Sequence, residues 1–119
     1  MKSILFVCSA NQCRSPMAQV LFQELVRERG EDSEWRVESA GIWAYGGAPA
    51  TENARLAMEK RGLDLSSHRS KPATSELLSQ VDLIVVMTRE QRDVLLAQMP
   101  FLEGKVFLLR GLGGESGDF

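Results

Sequence analysis

Cys8 and Arg14 are the side chains nearest the N-terminus with chemistry to offer. A thiolate is a soft nucleophile, and a guanidinium can grip two oxygens of one anion. They bracket Ser9-Ala10-Asn11-Gln12-Cys13, and Ser15-Pro16 follows at once. A nucleophile six positions ahead of a bidentate cation is the layout of an oxyanion site that attacks what it binds. With two cysteines and ten arginines among 119 residues, that spacing arises by chance about 0.17 of the time, so the surroundings must decide. Cys8 can also be read as a buried structural thiol, and Arg14 taken alone reads as surface charge.

Ile4-Leu5-Phe6-Val7 is an unbroken run of strand formers, which predicts a buried strand of a parallel sheet with Cys8 at its C-terminal end. Ser15-Pro16 forms an N-cap and first-turn pair, and Met17, Val20, Leu21 and Leu25 recur at helical spacing, so a helix begins where the loop ends. Successive amides closing onto a helix N-terminus form a concave nest for a phosphate-like dianion. The same positive field favours a thiolate. The chemistry expected is in-line attack on a phosphomonoester, giving a phosphocysteine that water hydrolyses, with Arg14 on the equatorial oxygens. Ser15 can cap the helix and also stabilise the departing thiolate. Asn11 tolerates the left-handed backbone that a tight loop needs, and is equally consistent with a plain turn.

Further along, a first helix is expected to end at Gly30 as its C′ residue. Trp35 to Ala40 alternates as an edge strand, and Gly41 to Pro49 is a loop carrying Trp43 and Tyr45, aromatics that more often pack than function. A helix from Thr51 to Gly62, a polar loop Ser66 to Pro72 and a short helix from Ala73 to Leu78 follow. Leu83 to Met87 predicts a central strand, Thr88 caps a helix that Pro100 terminates, and Val106 to Leu109 is a fourth strand. Gly111 to Phe119 reads as a mobile loop. Strands alternating with helices indicate an open α/β parallel sheet covered on both faces, with ligands bound beyond the strand C-termini where strand order reverses.

Val7-Cys8-Ser9-Ala10-Asn11-Gln12-Cys13-Arg14-Ser15-Pro16 resembles the signature loop of the low-molecular-weight protein tyrosine phosphatases. Ser39-Ala40-Gly41 and Val81 to Thr88 resemble further landmarks of that family, so the likeness spans essentially the whole chain. It implies a flavodoxin-like four-stranded sheet of order 2-1-3-4 and hydrolysis of phosphotyrosine in protein substrates. It makes Ser9 to Ser15 the phosphate-binding loop, with an oxyanion in it. By the same resemblance Ser39 and His68 hold the Asn11 side chain, and Trp43 and Tyr45 wall the pocket; on its own, a lone loop histidine such as His68 is more often merely solvated. Two positions depart from the pattern. Ala10 replaces a usual glycine, and Gln12 stands where members shape substrate preference, leaving phosphoarginine open as the alternative substrate.

The family's proton donor is an aspartate in an Asp-Pro pair on a loop after the fourth strand, followed by a last helix. No Asp-Pro pair occurs here, and Asp118 is not assigned the role. Residues 1–119 are therefore expected to form a single phosphatase domain lacking that acid loop and helix. Cys13 is close enough in sequence to pair with Cys8 as a protective disulfide, whereas zinc binding by the two lacks further ligands.

Composition narrows the class. A net charge of −2 and a pI near 5.4 argue against nucleic acid or anionic membrane as partner. Leu5-Phe6-Val7-Cys8 imitates a lipoprotein cleavage box, but four apolar residues fall short of a signal core of about 7 to 15. Two cysteines without a scaffold pattern point to the cytosol, and no cofactor is called for. An arsenate reductase of similar fold would need more cysteines. A sugar-transport phosphoryl carrier would need no loop-closing arginine, and a binding module would show no turnover.

Overall fold

The structure, a computed structural model, describes residues 1–112. Its elements are β1 (Lys2–Cys8), α1 (Arg14–Glu28), β2 (Trp35–Gly41), α2 (Glu52–Glu59), α3 (Ser75–Gln80), β3 (Leu83–Val86), α4 (Arg89–Gln98), β4 (Val106–Leu108) and α5 (Leu109–Leu112), with single 3₁₀ turns at Asp32–Glu34 and Pro100–Leu102. All strand pairs are parallel and the order is β2-β1-β3-β4. β2 is an edge strand and β3 a central one, as the hydrophobic patterns predict.

Strand periodicity decides which way the thiol faces. Leu5 and Val7 of β1 turn toward the face covered by α3 and α4, where they pack with Leu78, Ile84, Val86, Leu95 and Leu102. Ile4, Phe6 and Cys8 turn toward the opposite face, with Val85, Met87 and the α1 side chains Ala18 and Phe22. Each fully buried side chain of this size contributes about 1.5–3 kcal/mol, so the strand presenting Cys8 is held firmly from both sides. β1 lies between β2 and β3, the two strands on which the chain goes in opposite directions from it, and its C-terminal end is therefore the switch point.

The local signals mostly act as expected. Gly30 ends α1 at φ 71°, Thr51 caps α2 through the Ala54 amide, and Thr88 caps α4 in a reciprocal box with Gln91. At the opposite end of the sheet, Asp82 accepts the Ser3 amide and hydroxyl at 2.8 and 3.2 Å. The amide bond holds its carboxyl below the usual aspartate range.

Four expectations shift. α1 begins at Arg14 with Cys13 at the cap position and no side-chain cap; Ser15 lies inside the helix, its hydroxyl engaged elsewhere. α3 runs from Ser75 to Gln80 rather than from Ala73 to Leu78, because the Thr74 hydroxyl accepts the Leu77 amide and sets the start. β4 stops at Leu108, since its partner β3 ends at Val86. Leu109 then opens α5, which takes Gly111 and Leu112 out of the proposed tail loop; the rest of that tail lies outside the described residues. Of the α1 stripe, Met17 and Val20 pack toward α2, whereas Leu21 and Leu25 stay exposed beside a shallow apolar groove.

Candidate active site

Cys8 is the last residue of β1, and the chain leaves the sheet there as a tight loop into α1. The loop is anchored to the segment after β2: the Cys8 carbonyl accepts the Ile42 amide and the Ser9 carbonyl accepts the Trp43 amide, both at 2.9 Å. Gly41 makes this closeness possible. A β-carbon there would come within 2.7 Å of the Ser9 carbonyl oxygen and 2.9 Å of the Ala10 backbone.

The sulfur of Cys8 is buried with the side chain and lies 2.9 Å from Ser15 Oγ. Asn11 Nδ2 donates to the same hydroxyl at 2.9 Å. A hydroxyl has one proton; with the amide donating to its oxygen, Ser15 has that proton to give to the sulfur. Asn11 Oδ1 in turn accepts the Lys71 amide at 2.9 Å. Bonds therefore run from Lys71 N–H to Asn11 and from Asn11 to Ser15, and where Cys8 is a thiolate, which can only accept, the Ser15 proton completes the chain onto the sulfur.

Asn11 is fully buried and adopts φ 57°, the left-handed conformation read as open to asparagine. Its main-chain carbonyl lies 2.7 Å from His68 Nε2, and since a carbonyl only accepts, that ring nitrogen carries the proton. His68 thus holds the Asn11 backbone and not its side chain. Ser39 does not hold Asn11 either: it donates to Gln19 Oε1 at 2.6 Å, while Gln19 Nε2 reaches the Val37 carbonyl. Ser39 is one β2 residue tied to α1, a support for the strand–helix packing around the loop.

Arg14 opens α1 and is partly buried. Gln12 donates to the Pro49 carbonyl, and its own carbonyl accepts the Thr51 amide, so this residue ties the loop to the start of α2. Cys13 packs partly buried against the Ala50, Ala54 and Met58 cluster, and both thiols are free. Trp43 and Tyr45 are 55% and 89% exposed, so neither is a packing aromatic. Tyr45 sits on a firm loop, its carbonyl accepting the hydroxyl of buried Ser70, which also accepts the Ala48 amide.

Two participants carry no reactive signature in the sequence. Lys71 acts through its main-chain amide, which no residue type announces. Gln91 caps α4 and also donates from Nε2 to Ser9 Oγ at 3.2 Å; the Thr-x-x-Gln spacing predicts its cap but not this reach. Among the described residues, no group of His, Cys, Asp or Glu is placed to hold a metal ion, and no helix is long and apolar enough to cross a membrane.

Comparison with known proteins agrees with the geometry. The chain is 42% identical over 115 residues to the low molecular weight protein-tyrosine-phosphatase Ptp of Acinetobacter johnsonii, covering 97% of this chain and 77% of that one. It is 36% identical over 116 residues to the protein-arginine-phosphatase of Bacillus subtilis, covering 97% and 75%. A solved YwlE arginine phosphatase, a cysteine-to-serine mutant with its active-site serine phosphorylated, superposes with a TM-score of 0.91 at 35% identity, over 98% of this chain and 75% of that one. Residues 3–117 match the family described as low molecular weight phosphotyrosine protein phosphatase, and the chain belongs to that family.

Proposed function

We propose that the protein hydrolyses phosphotyrosine in protein substrates, with Cys8 as nucleophile and residues Ser9 to Ser15 as the phosphoryl-binding loop. The observation that carries this reading is the hydrogen-bond chain that reaches the Cys8 sulfur through Asn11 and Ser15, which places a hydroxyl proton where a thiolate can accept it. The thiolate attacks phosphorus in line with the ester oxygen. The P–O bond to the phenol breaks as the S–P bond forms, and Arg14 with the loop amides takes the charge on the equatorial oxygens. Water then attacks the phosphocysteine, and sulfur leaves as a thiolate that accepts the Ser15 proton in a hydrogen bond. None of the described residues is assigned as proton donor to the leaving group. Trp43 and Tyr45 border the entrance as aromatic walls, and Ser39 and His68 support the loop from behind. A cytosolic setting, which keeps both thiols reduced, suits the mechanism.

The test is hydrolysis of p-nitrophenyl phosphate by the parent protein beside Cys8→Ser and Arg14→Ala. Turnover that falls at least a thousandfold in Cys8→Ser supports the assignment; undiminished turnover removes it. A phosphocysteine that is stable to water but transferable to a sugar would favour a carrier instead. Phosphoarginine is the second reading, favoured by the likeness to the Bacillus subtilis enzyme. Parallel hydrolysis of phosphotyrosyl and phosphoarginyl peptides separates the two.

A further inference from the structure

Capping explains a glutamine at position 91, yet not why its side chain is 2% exposed against the anion loop. Oε1 accepts both the Met87 and Thr88 amides, at 2.9 and 3.0 Å. Two donors at that end require the oxygen there, so the amide cannot turn and Nε2 is aimed at Ser9 Oγ. Ser9 directly follows Cys8. The far side of the loop is held at Asn11 by His68, Lys71 and Ser15, whereas the Ser9 side chain is held by the α4 corner through Gln91.

We propose that Gln91 is a positioning residue for the reaction: through Ser9 it fixes the turn next to the nucleophile, so that the first amides of the loop meet the phosphoryl oxygens already oriented. The inference rests on the phosphatase reading. Because Ser9 Oγ accepts from Nε2, its own proton is directed away from Gln91. A carboxylate at position 91 would still accept the two backbone amides but would have nothing to donate. The Ser9 hydroxyl would then swing round to donate to it, and the turn would lose its set.

The experiment uses the full chain, with inorganic phosphate as competitive inhibitor of p-nitrophenyl phosphate hydrolysis. Gln91→Glu is expected to raise the phosphate inhibition constant about 3- to 10-fold, the range for one hydrogen bond, and to keep the melting temperature within a few degrees. Ser9→Ala is expected to weaken phosphate similarly, and the double variant to be no worse than the weaker single. In the Ser9→Ala background Gln91→Glu should add no further loss at any pH, whereas simple repulsion of phosphate by the new carboxylate would persist there. An unchanged phosphate constant in Gln91→Glu, or additive losses in the double variant, would overturn the proposal while leaving the phosphatase reading intact. A parent protein that neither hydrolyses the ester nor binds phosphate would remove both.

Discussion

Ser15 Oγ stands 2.9 Å from Cys8 Sγ and receives the Asn11 amide from its other side, also at 2.9 Å. The serine that looks like a helix cap faces the Cys8 sulfur instead. Its proton has the sulfur in front of it whenever the sulfur is an anion: before attack, and again when the phosphocysteine breaks. Ser15→Ala should therefore lower kcat for p-nitrophenyl phosphate about 10- to 100-fold, the worth of a hydrogen bond to a charged group. Release of the thiolate should become the slow step, and KM should fall along with kcat because the phosphocysteine then accumulates. Rapid-mixing kinetics should show a burst of p-nitrophenol followed by a steady rate slower than the parent's. Unchanged kcat would mean that the contact is only packing.

Gly41 and Ser9 approach so closely that a methyl group has no room between them. The obstacles include backbone, the Ser9 carbonyl and the Ala10 carbonyl carbon, so Gly41→Ala cannot be relieved by a rotamer change. The loop must move, and with it the amides meant for the phosphoryl group. Overpacking of this kind costs about 1–3 kcal/mol, and kcat/KM should fall more than tenfold. A urea titration beside the kinetics checks both, and a variant with parental kinetics would contradict the geometry.

How far these relationships were readable in the residues depends on what makes them. The strands themselves, the position of Cys8 at a strand end and the Thr88 cap follow from local pattern, because apolar runs and capping hydroxyls act within a few positions; the order β2-β1-β3-β4 comes only from the family resemblance. The cap reading of Ser15 misled because serine before proline is a strong start signal, whereas the hydroxyl lies against the Cys8 sulfur, the place its second expected role requires. Of the two expected partners of Asn11, Ser39 turns to Gln19 instead, and the His68 segment is right but wired differently. His68 is 57 residues away and takes the carbonyl, while the side chain goes to a main-chain amide at Lys71. Long-range bonds to backbone leave no residue-type signature. Gln91 shows the same limit, since one side chain satisfies a local rule and a distant contact together.

Asp82 gives a stability signature separate from the active site. Hydrogen bonding to the Ser3 amide, joined by the Ser3 hydroxyl, lowers its pKa in the folded state. A lowered carboxyl adds stability that is fully present above the unfolded value of about 3.9 and is lost as pH falls through the lower folded value. Asp82→Asn should therefore be less stable than the parent at pH 7, with the gap closing below about pH 4. Urea midpoints at pH 7 and pH 3 measure it. A gap of constant size would show that the charge is not what the Ser3 amide recognises.

Cys13 stands five residues after Cys8 in a loop tied down at Gln12 by Pro49 and Thr51. Both sulfurs are free thiols, and the one at Cys8 is the more reactive if it is held as a thiolate. Peroxide would carry that thiolate to a sulfenic acid, and a thiol within reach condenses with it to a disulfide and water, stopping the climb to the irreversible acids. Pairing needs the two Cα atoms within about 4.4 to 6.8 Å, a span that so short a loop can supply. The parent should lose activity to peroxide and regain it with dithiothreitol, whereas Cys13→Ser should stay inactive after the same dose. Mass spectrometry should find a loss of two hydrogens in the first case and added oxygen on Cys8 in the second. Full recovery of Cys13→Ser would leave Cys13 as no more than a side chain packed against Ala50 and Ala54.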